Sequence, residues 1–340
     1  MKKDDVITLA HGAGGRASEA LYRDIFYPAF GLNGSQPDAA AMAMPELAVT
    51  GSRLAMTTDS FVVSPLTFPG GDIGKLSVCG TVNDLAVSGA RPRYLSAGFV
   101  IEEGLPLSIL TDIARSMARA ASEAGVSIVT GDTKVVARGQ ADKVYINTAG
   151  VGVVPPDRSV STHGARPGDA VLVNGFIGDH GAAVMLARGE LGLNATLHSD
   201  CAPLNGLIES VFSACPHLQV IRDATRGGVG AVLSDIVRDA GVTVALDEAS
   251  LPVRPETRAI CELLGMEALF FANEGLAVFI VPQGDADKVL AVMRDHPYGQ
   301  HACQIGQVLS STDPLLYINT IFGGKRMIEL PYGVQLPRIC

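Results

Sequence analysis

The sequence contains no tryptophan, and aromatic residues make up only 5% of its 340 positions. A chain so short of large rings must build its core from aliphatic and small side chains. Hydrophobic residues nonetheless reach 47%, enough for a sizeable core, and the prominence of Ala, Val, Leu and Gly suits α/β layers joined by tight turns. No uncharged apolar run reaches the length of a membrane span, so no membrane helix is expected. Met1-Lys2-Lys3-Asp4-Asp5 is followed by no signal-peptide-like apolar stretch. The six cysteines form no Cys-x-x-Cys and accompany no His pair at metal spacing, which argues against a zinc site or a disulfide framework. A reduced, cytoplasmic protein is expected, with Cys79, Cys201, Cys215, Cys261 and Cys303 read as core residues. Positive charge is also lacking. At a formal net charge of -9 the chain repels polyanions, and nucleic acid is not an expected partner. A nucleotide remains compatible, because Mg2+ screens carboxylates locally.

The length fits two domains of ordinary size. The pattern predicts a helix over Ala17–Phe30, a small-residue linker over Asn33–Pro45, and helices over Ile73–Ser88 and Pro106–Ala124. Strands are expected at Arg53–Thr58, Arg93–Ile101, Val126–Thr130 and Lys143–Val154. This alternation indicates an α/β or α+β fold. Prolines and small polar residues cluster over Pro155–Pro167, which marks a domain boundary. The expected division is an N-terminal domain over 1–155, a C-terminal α/β domain over 156–329, and a mobile tail over 330–340. In the second domain, strands are read at Ala170–Asn174, Leu218–Arg222, Val242–Leu246 and Ala277–Val281. Helices are read at Gly181–Arg188, Leu204–Ala214, Gly227–Ala240, Pro255–Leu264 and Ala286–Asp295.

The common nucleotide loops are missing. Gly70-Gly71-Asp72-Ile73-Gly74-Lys75 fails the P-loop pattern, since Pro69 stands where its first glycine belongs and Leu76 follows the lysine. His11-Gly-Ala-Gly-Gly15 lacks the dinucleotide spacing; it either closes over phosphate as a mobile cover or makes a turn. Acidic residues offer another route. Asp59, Asp132 and Asp223 each follow an apolar strand, and carboxylates gathered at a sheet edge can hold Mg2+ with phosphates as co-ligands. Each could equally cap the following helix. Asn83-Asp84 lies inside an apolar helix, where a carboxylate needs a cation or a structural hydrogen bond. Gly227-Gly228 after Thr225-Arg226 opens a helix, suited to an anion or to a tight turn. Lys134, after Gly131-Asp132-Thr133, is placed to face a transferred phosphoryl group, and Glu274 at a polar break is a candidate base.

The tail carries Pro331 and Pro337, which favour extended backbone, and ends in Cys340. Its last ten residues can span roughly 33–36 Å if fully extended. That reach lets a terminal thiol travel between a buried site and the surface.

These motifs together resemble one family. His11-Gly-Ala-Gly-Gly15, Thr58-Asp59-Ser60, Phe68-Pro-Gly-Gly71, Asn83-Asp84, Thr130-Gly-Asp-Thr-Lys134, Asp223-Ala-Thr-Arg-Gly-Gly228, Ala272-Asn-Glu-Gly275 and the terminal Pro337-Arg-Ile-Cys340 are similar to those of the HypE family. These are carbamoyl dehydratases of NiFe-hydrogenase maturation, within the aminoimidazole ribonucleotide synthetase-like superfamily. The resemblance spans essentially the whole chain. It implies a two-domain fold of mixed sheets flanked by helices, a homodimer pairing N-terminal sheets, and ATP with Mg2+. It implies that a carbamoyltransferase, HypF, loads Cys340, and that the HypC–HypD complex receives the cyanide. Asp59, Asp84, Asp132 and Asp223 would hold the metal. Asn83, Thr133, Arg226, Gly71, Gly227 and His11 would line the ATP and phosphate site. Cys340, Lys134 and Glu274 would carry the chemistry, with either Lys134 or Glu274 as the base. The competing expectations are a small-molecule kinase or synthetase of the same superfamily, and a non-catalytic scaffold.

Overall fold

The computed structural model describes residues 6–32, 39–189, 192–193, 195–332 and 338–340. Residues 33–38 of the expected 33–45 linker, and residues 333–337 of the expected tail, lie outside that description.

The chain opens with a 3-10 turn and an interrupted helix. α1 (Arg16–Leu21) passes through a π-turn over Tyr22–Phe26 into α2 (Tyr27–Phe30). A single helix was expected there. Pro28 explains the interruption, because it offers no N–H to the preceding turn and its ring crowds the carbonyl four residues back.

The first sheet contains β1 (Arg53–Phe61), β4 (Arg91–Glu102), β5 (Ser127–Val136) and β6 (Val144–Val154), in the order β1-β6-β4-β5. Only the β4–β5 pair is parallel. A short ribbon of β2 (Thr67–Phe68) and β3 (Gly71–Asp72) precedes α3 (Ile73–Val87). α3 and α4 (Leu107–Ala124) cover one face of the sheet. α4 is amphipathic, burying Leu110, Ala114, Met117 and Ala121 on one stripe and ending at Gly125 in the left-handed region. α3 is buried almost all round, since it packs on the sheet, on α4 and on the second domain together. Its N-terminus is capped by Asp72, whose carboxylate accepts from Gly74 N at 2.7 Å and Lys75 N at 3.0 Å.

Along β1, Thr57, Asp59 and Phe61 alternate with exposed Met56, Thr58 and Ser60. The opposite face of this sheet is therefore open; Leu54 and Met56 are 58% and 71% exposed on it. That alternation corrects one expectation. Asp59 and Asp132 do not sit at strand ends. They lie within β1 and β5: Asp132 is on the open face, which tolerates polar residues at every second position, whereas Asp59 is on the covered face toward α3. Asp223 does end its strand.

The second sheet follows a connecting segment. It comprises β7 (Asp169–Val173), β8 (Val220–Asp223), β9 (Thr243–Asp247), β10 (Ala277–Pro282), β11 (Cys303–Leu309), β12 (Leu316–Asn319) and β13 (Lys325–Met327). Their order is β13-β12-β9-β11-β7-β10-β8, with only β9–β12 parallel. α5 (Asp179–Ala187), α6 (Asn205–Ala214), α7 (Gly228–Ala240), α8 (Pro255–Leu264) and α9 (Ala286–Asp295) accompany it. β7 and β10 are buried on both faces, α6 and α9 packing on one side and α7 on the other. Among the described residues, no helix is long and apolar enough to cross a membrane.

Candidate active site at the docked C-terminus

Three carboxylates and the chain terminus meet where α3 abuts the second domain. Asp59 points from β1 toward α3, and a Cβ added at Gly80 would lie 3.9 Å from its Oδ2. Asp84 projects from α3, and Thr57 donates its hydroxyl to Asp84 Oδ2 at 2.9 Å. Asp223 closes β8. A cleft of about 490 Å³, lined by Thr57, Asp84, Arg222 and Asp223 among others, opens beside them. Burial, then the charge of Asp84, pushes the Asp223 carboxyl up to about 6. Asp84 is raised as well, chiefly by burial and then by Asp59, although the Thr57 hydroxyl opposes this.

Glu274 lies deeper. It is buried, and burial together with Cys201, Asp200, Asp223 and Asp59 raises its carboxyl far above the ordinary range. Its loop is fixed by Asp200, whose carboxylate accepts from Asn273 Nδ2 at 2.8 Å, Glu274 N at 3.1 Å and Gly275 N at 3.0 Å. Glycine is required after Glu274 because a Cβ at Gly275 would fall on the Asp200 carbonyl oxygen.

The tail ends here. The Cys340 thiol lies beside the Glu274 carboxyl, and burial first, then the charge of that carboxyl, raises its pKa. Ile339 is buried in the core of the first domain, and its carbonyl accepts from His180 Nε2 at 2.9 Å. Arg338 donates to Val62 O at 3.1 Å and to Asp142 at 2.5 Å, while its own carbonyl accepts from Ser64 N and from Arg188.

Cys340, Glu274, Asp59, Asp84 and Asp223 are thus brought together, with Arg226 exposed nearby and acting through its charge on both Cys340 and Asp84. Asp132 and Lys134 are not. Asp132 is hydrogen-bonded in register with Gly98, on the open face of the sheet, whereas Asp59 faces α3. Lys134 Nζ stands 2.7 Å from Asp132 Oδ2, both side chains being about two-thirds exposed at 66% and 64%. The carboxylate of Asp132 raises the Lys134 pKa, through a hydrogen bond and charge. Thr133 turns the other way and is buried, lining with Asp132, Tyr22 and Phe26 a separate cleft of about 460 Å³.

Asn83 serves a different purpose from the expected nucleotide contact. Its Nδ2 donates to Ala202 O at 3.0 Å and Glu274 O at 3.3 Å, and its Oδ1 accepts from Leu204 N at 2.7 Å. Both ends of the amide are spent on holding the second domain. Gly71 lies beside an α3 N-terminus already capped by Asp72. Gly227 and Gly228 both have positive φ, and a Cβ at Gly228 would meet the carbonyls of Leu269 and Phe271, so this turn needs glycine on steric grounds. His11 belongs to a 3-10 turn, its Nδ1 accepting from Thr8 N at 3.0 Å, against the strand that carries Asp132 and Lys134.

Among the described residues, no three His, Cys, Asp or Glu side chains stand at metal-holding spacing. The fit to a cation is chemical: burial and neighbouring carboxylates raise Asp223 and Asp84 although Arg222 opposes this, and their oxygens suit a hard ion that takes its other ligands from phosphate and water. Two residues escaped the sequence reading. Asp200 gave no signal. His180 offered only its place at the start of an otherwise apolar helix.

Models of the AIR synthase related protein N-terminal and C-terminal domains match residues 36–154 and 166–318. Carbamoyl dehydratase HypE of Rhodobacter capsulatus is 48% identical over 338 residues, covering 99% of both chains. The chain belongs to the HypE family. A crystal structure of a HypE in complex with ATP superposes with a TM-score of 0.91 at 44% identity, covering 98% of this chain and 99% of that one. A HypE–HypF complex gives a TM-score of 0.79 at 50% identity, covering 83% and 92%. HypE relatives thus share the architecture described here from the first sheet through the second. The mixed two-domain fold expected from the motifs is the fold of the family.

Proposed function

We propose that this chain carries a carbamoyl group on Cys340 and dehydrates it to a thiocyanate with ATP, supplying cyanide ligands for the iron of NiFe hydrogenase. The observation that carries this reading is the terminal thiol docked against Glu274, inside a cluster of acidic side chains. A carrier must bring its cargo to such a point and leave again, and a tail ending in cysteine meets both needs.

The chemistry balances as follows. The carbamoyl oxygen attacks the γ-phosphate of ATP, ADP leaves, and one N–H proton is lost to give an O-phosphorylated imidate. The C–O bond then breaks, phosphate departs, the second nitrogen proton is removed, and S–C≡N remains. Glu274 is placed to take a nitrogen proton, whereas Lys134 is held ionised by Asp132 and has no lone pair to accept one. Asp59, Asp84 and Asp223 would hold Mg2+, which neutralises phosphate charge when bound. Arg226 would add a charged fork at the phosphates. HypF as the donor of the carbamoyl group is supported by the relative solved as a HypE–HypF complex. HypC–HypD as the acceptor, and a cytoplasmic setting, follow from the family chemistry.

The test is intact mass. Carbamoylated protein given Mg-ATP should lose about one water, roughly 18 Da, at Cys340, as dehydration driven by phosphoryl transfer requires. An unchanged mass sinks the reading. Turnover of a free small substrate by Cys340→Ala would favour a kinase or synthetase, and indifference to loss of Asp84 would favour a scaffold.

The open face of the first sheet supports a homodimer in which a second copy covers Leu54 and Met56. Asp132 and Lys134 lie on that same face and would then sit near the join. Met56→Glu should shift the mass seen by sedimentation at micromolar concentration from two chains to one; an unshifted dimer would place the contact elsewhere.

A further inference from the structure

His180 is wholly buried, yet neither of its ring nitrogens faces the acidic cluster. Nδ1 lies 2.8 Å from Ser199 Oγ, and Nε2 lies 2.9 Å from the carbonyl oxygen of Ile339. The carbonyl can only accept, so Nε2 carries the hydrogen. Ser199 Oγ already accepts from Cys201 N at 3.0 Å, which leaves its own hydrogen to point at Nδ1. Ser199 therefore fixes the tautomer that serves the tail. Phe68 holds the ring edge-on, with centroids 5.3 Å apart and planes at 84°. Ser199 is itself tied to the Phe68-Pro-Gly-Gly71 ribbon, its N–H donating to Pro69 O at 2.8 Å. Burial lowers the imidazole pKa to about 4, so the ring is neutral throughout the physiological range and makes this contact without a charge to desolvate.

We propose that His180 is the positioning residue of the carrier tail: by gripping the Ile339 carbonyl it sets where Cys340 stops, so that whatever the sulfur bears meets Glu274. This deepens the dehydratase reading and rests on it. The remaining tail contacts divide the work. Arg338 ties the tail to Val62 and Asp142, and the buried Ile339 side chain gives apolar affinity. Those contacts lie on side chains that can turn, and the bonds from Ser64 N and Arg188 to the Arg338 carbonyl fall one residue further from the carrier. The His180 bond falls on the main chain one peptide before the carrier, so it fixes the last residue directly. It also ignores the cargo, because it touches no sulfur substituent. Carbamoylated, thiocyanate and free forms are therefore gripped alike at Ile339, and discrimination between them falls to the Glu274 side of the site.

The grip can be read without catalysis, from alkylation of Cys340 by N-ethylmaleimide in the full-length unmodified protein. The half-buried Cys303 serves as internal reference, and sites are located by peptide mass spectrometry. His180→Phe keeps the ring volume and loses the donor. Loss of one buried hydrogen bond should speed Cys340 labelling about tenfold, with Cys303 unchanged. His180→Gln, which retains an N–H, should recover most of the protection, as a merely space-filling role would not. Ser199→Ala, which keeps the imidazole but frees its tautomer, should give a few-fold increase and carries the test if His180→Phe lowers the melting temperature. Wild-type labelling rates at Cys340 in a folded His180→Phe protein, or in Ser199→Ala where the first does not fold, overturn the inference. The dehydratase reading fails separately, by an unchanged mass in the wild-type protein under Mg-ATP.

Discussion

Glu274→Gln should slow the loss of water from carbamoylated protein by about 10²–10⁴, the usual worth of a general base, while leaving Mg-ATP binding and the docked tail largely in place. The substitution keeps the shape of a buried side chain whose backbone is held by Asp200 and Asn83. It removes only the ability to accept a proton. The measurement is the single-turnover rate of mass loss at saturating Mg-ATP. Undiminished turnover would remove Glu274 from the chemistry.

The pH profile sharpens that expectation. Glu274 is surrounded by features that disfavour its charge: burial first, then Cys201, Asp200, Asp223 and Asp59. These surroundings favour its protonated form, which cannot accept a proton. A cation held by Asp59 and Asp223 would reverse the sign of two of those neighbours and release the proton. The wild-type rate should therefore fall on acidification, with a midpoint above the ordinary glutamate range. In Glu274→Gln that limb should vanish along with the fast rate. Lys134, exposed and paired with Asp132, would give no such limb.

Much of this was legible from the sequence, for physical reasons that can be named. α4 has an apolar stripe at helical spacing and a glycine stop, so it reads correctly from either end. The terminal cysteine follows two prolines, each of which favours extended backbone at its predecessor, and with the family motifs this suggested a carrier. β5 was harder. Its Gly131-Asp132-Thr133-Lys134 run looks like a loop, but it is strand, because one face of the sheet is covered and the other open. The same alternation sends Asp132 and Asp59 to different faces, so four aspartates that look equivalent in sequence do not form one set within a chain.

Asn83 and His180 show where sequence runs out. A buried polar residue demands a partner, but the sequence does not say which. Asn83 finds the backbone of Ala202 and Leu204, 119 and 121 positions away. His180 finds Ile339 across 159 positions. Both bonds cross between segments brought together only by packing, so no local spacing foretells them.

Asp223→Asn should make the ligand-free protein more stable at pH 7.5 while abolishing its stabilisation by Mg-ATP. The sign follows from linkage. The Asp223 carboxyl is pushed up to about 6, by burial first and then by Asp84, against an ordinary 3.8. A raised acid resists ionisation in the fold, so its stability contribution is greatest when protonated and is lost as pH rises through that interval. Above about pH 6 the ionised form burdens the native state by on the order of 2–3 kcal/mol, which the neutral asparagine avoids. The melting temperature at pH 7.5 should rise by several degrees in the variant, and the difference should close below about pH 4, where both states of the wild type are protonated. Glu209 sets the opposite limb for both proteins, since Arg91 and Arg158 outweigh its burial and hold it down to about 2. Its share of stability is therefore kept above about pH 4.5 and lost as pH falls toward about 2. Calorimetry with and without Mg-ATP between pH 4 and 8 separates the terms. If the variant is no more stable than wild type at pH 7.5, the carboxylates are not under mutual strain. If it still gains stability from Mg-ATP as wild type does, Asp223 does not hold the metal-nucleotide.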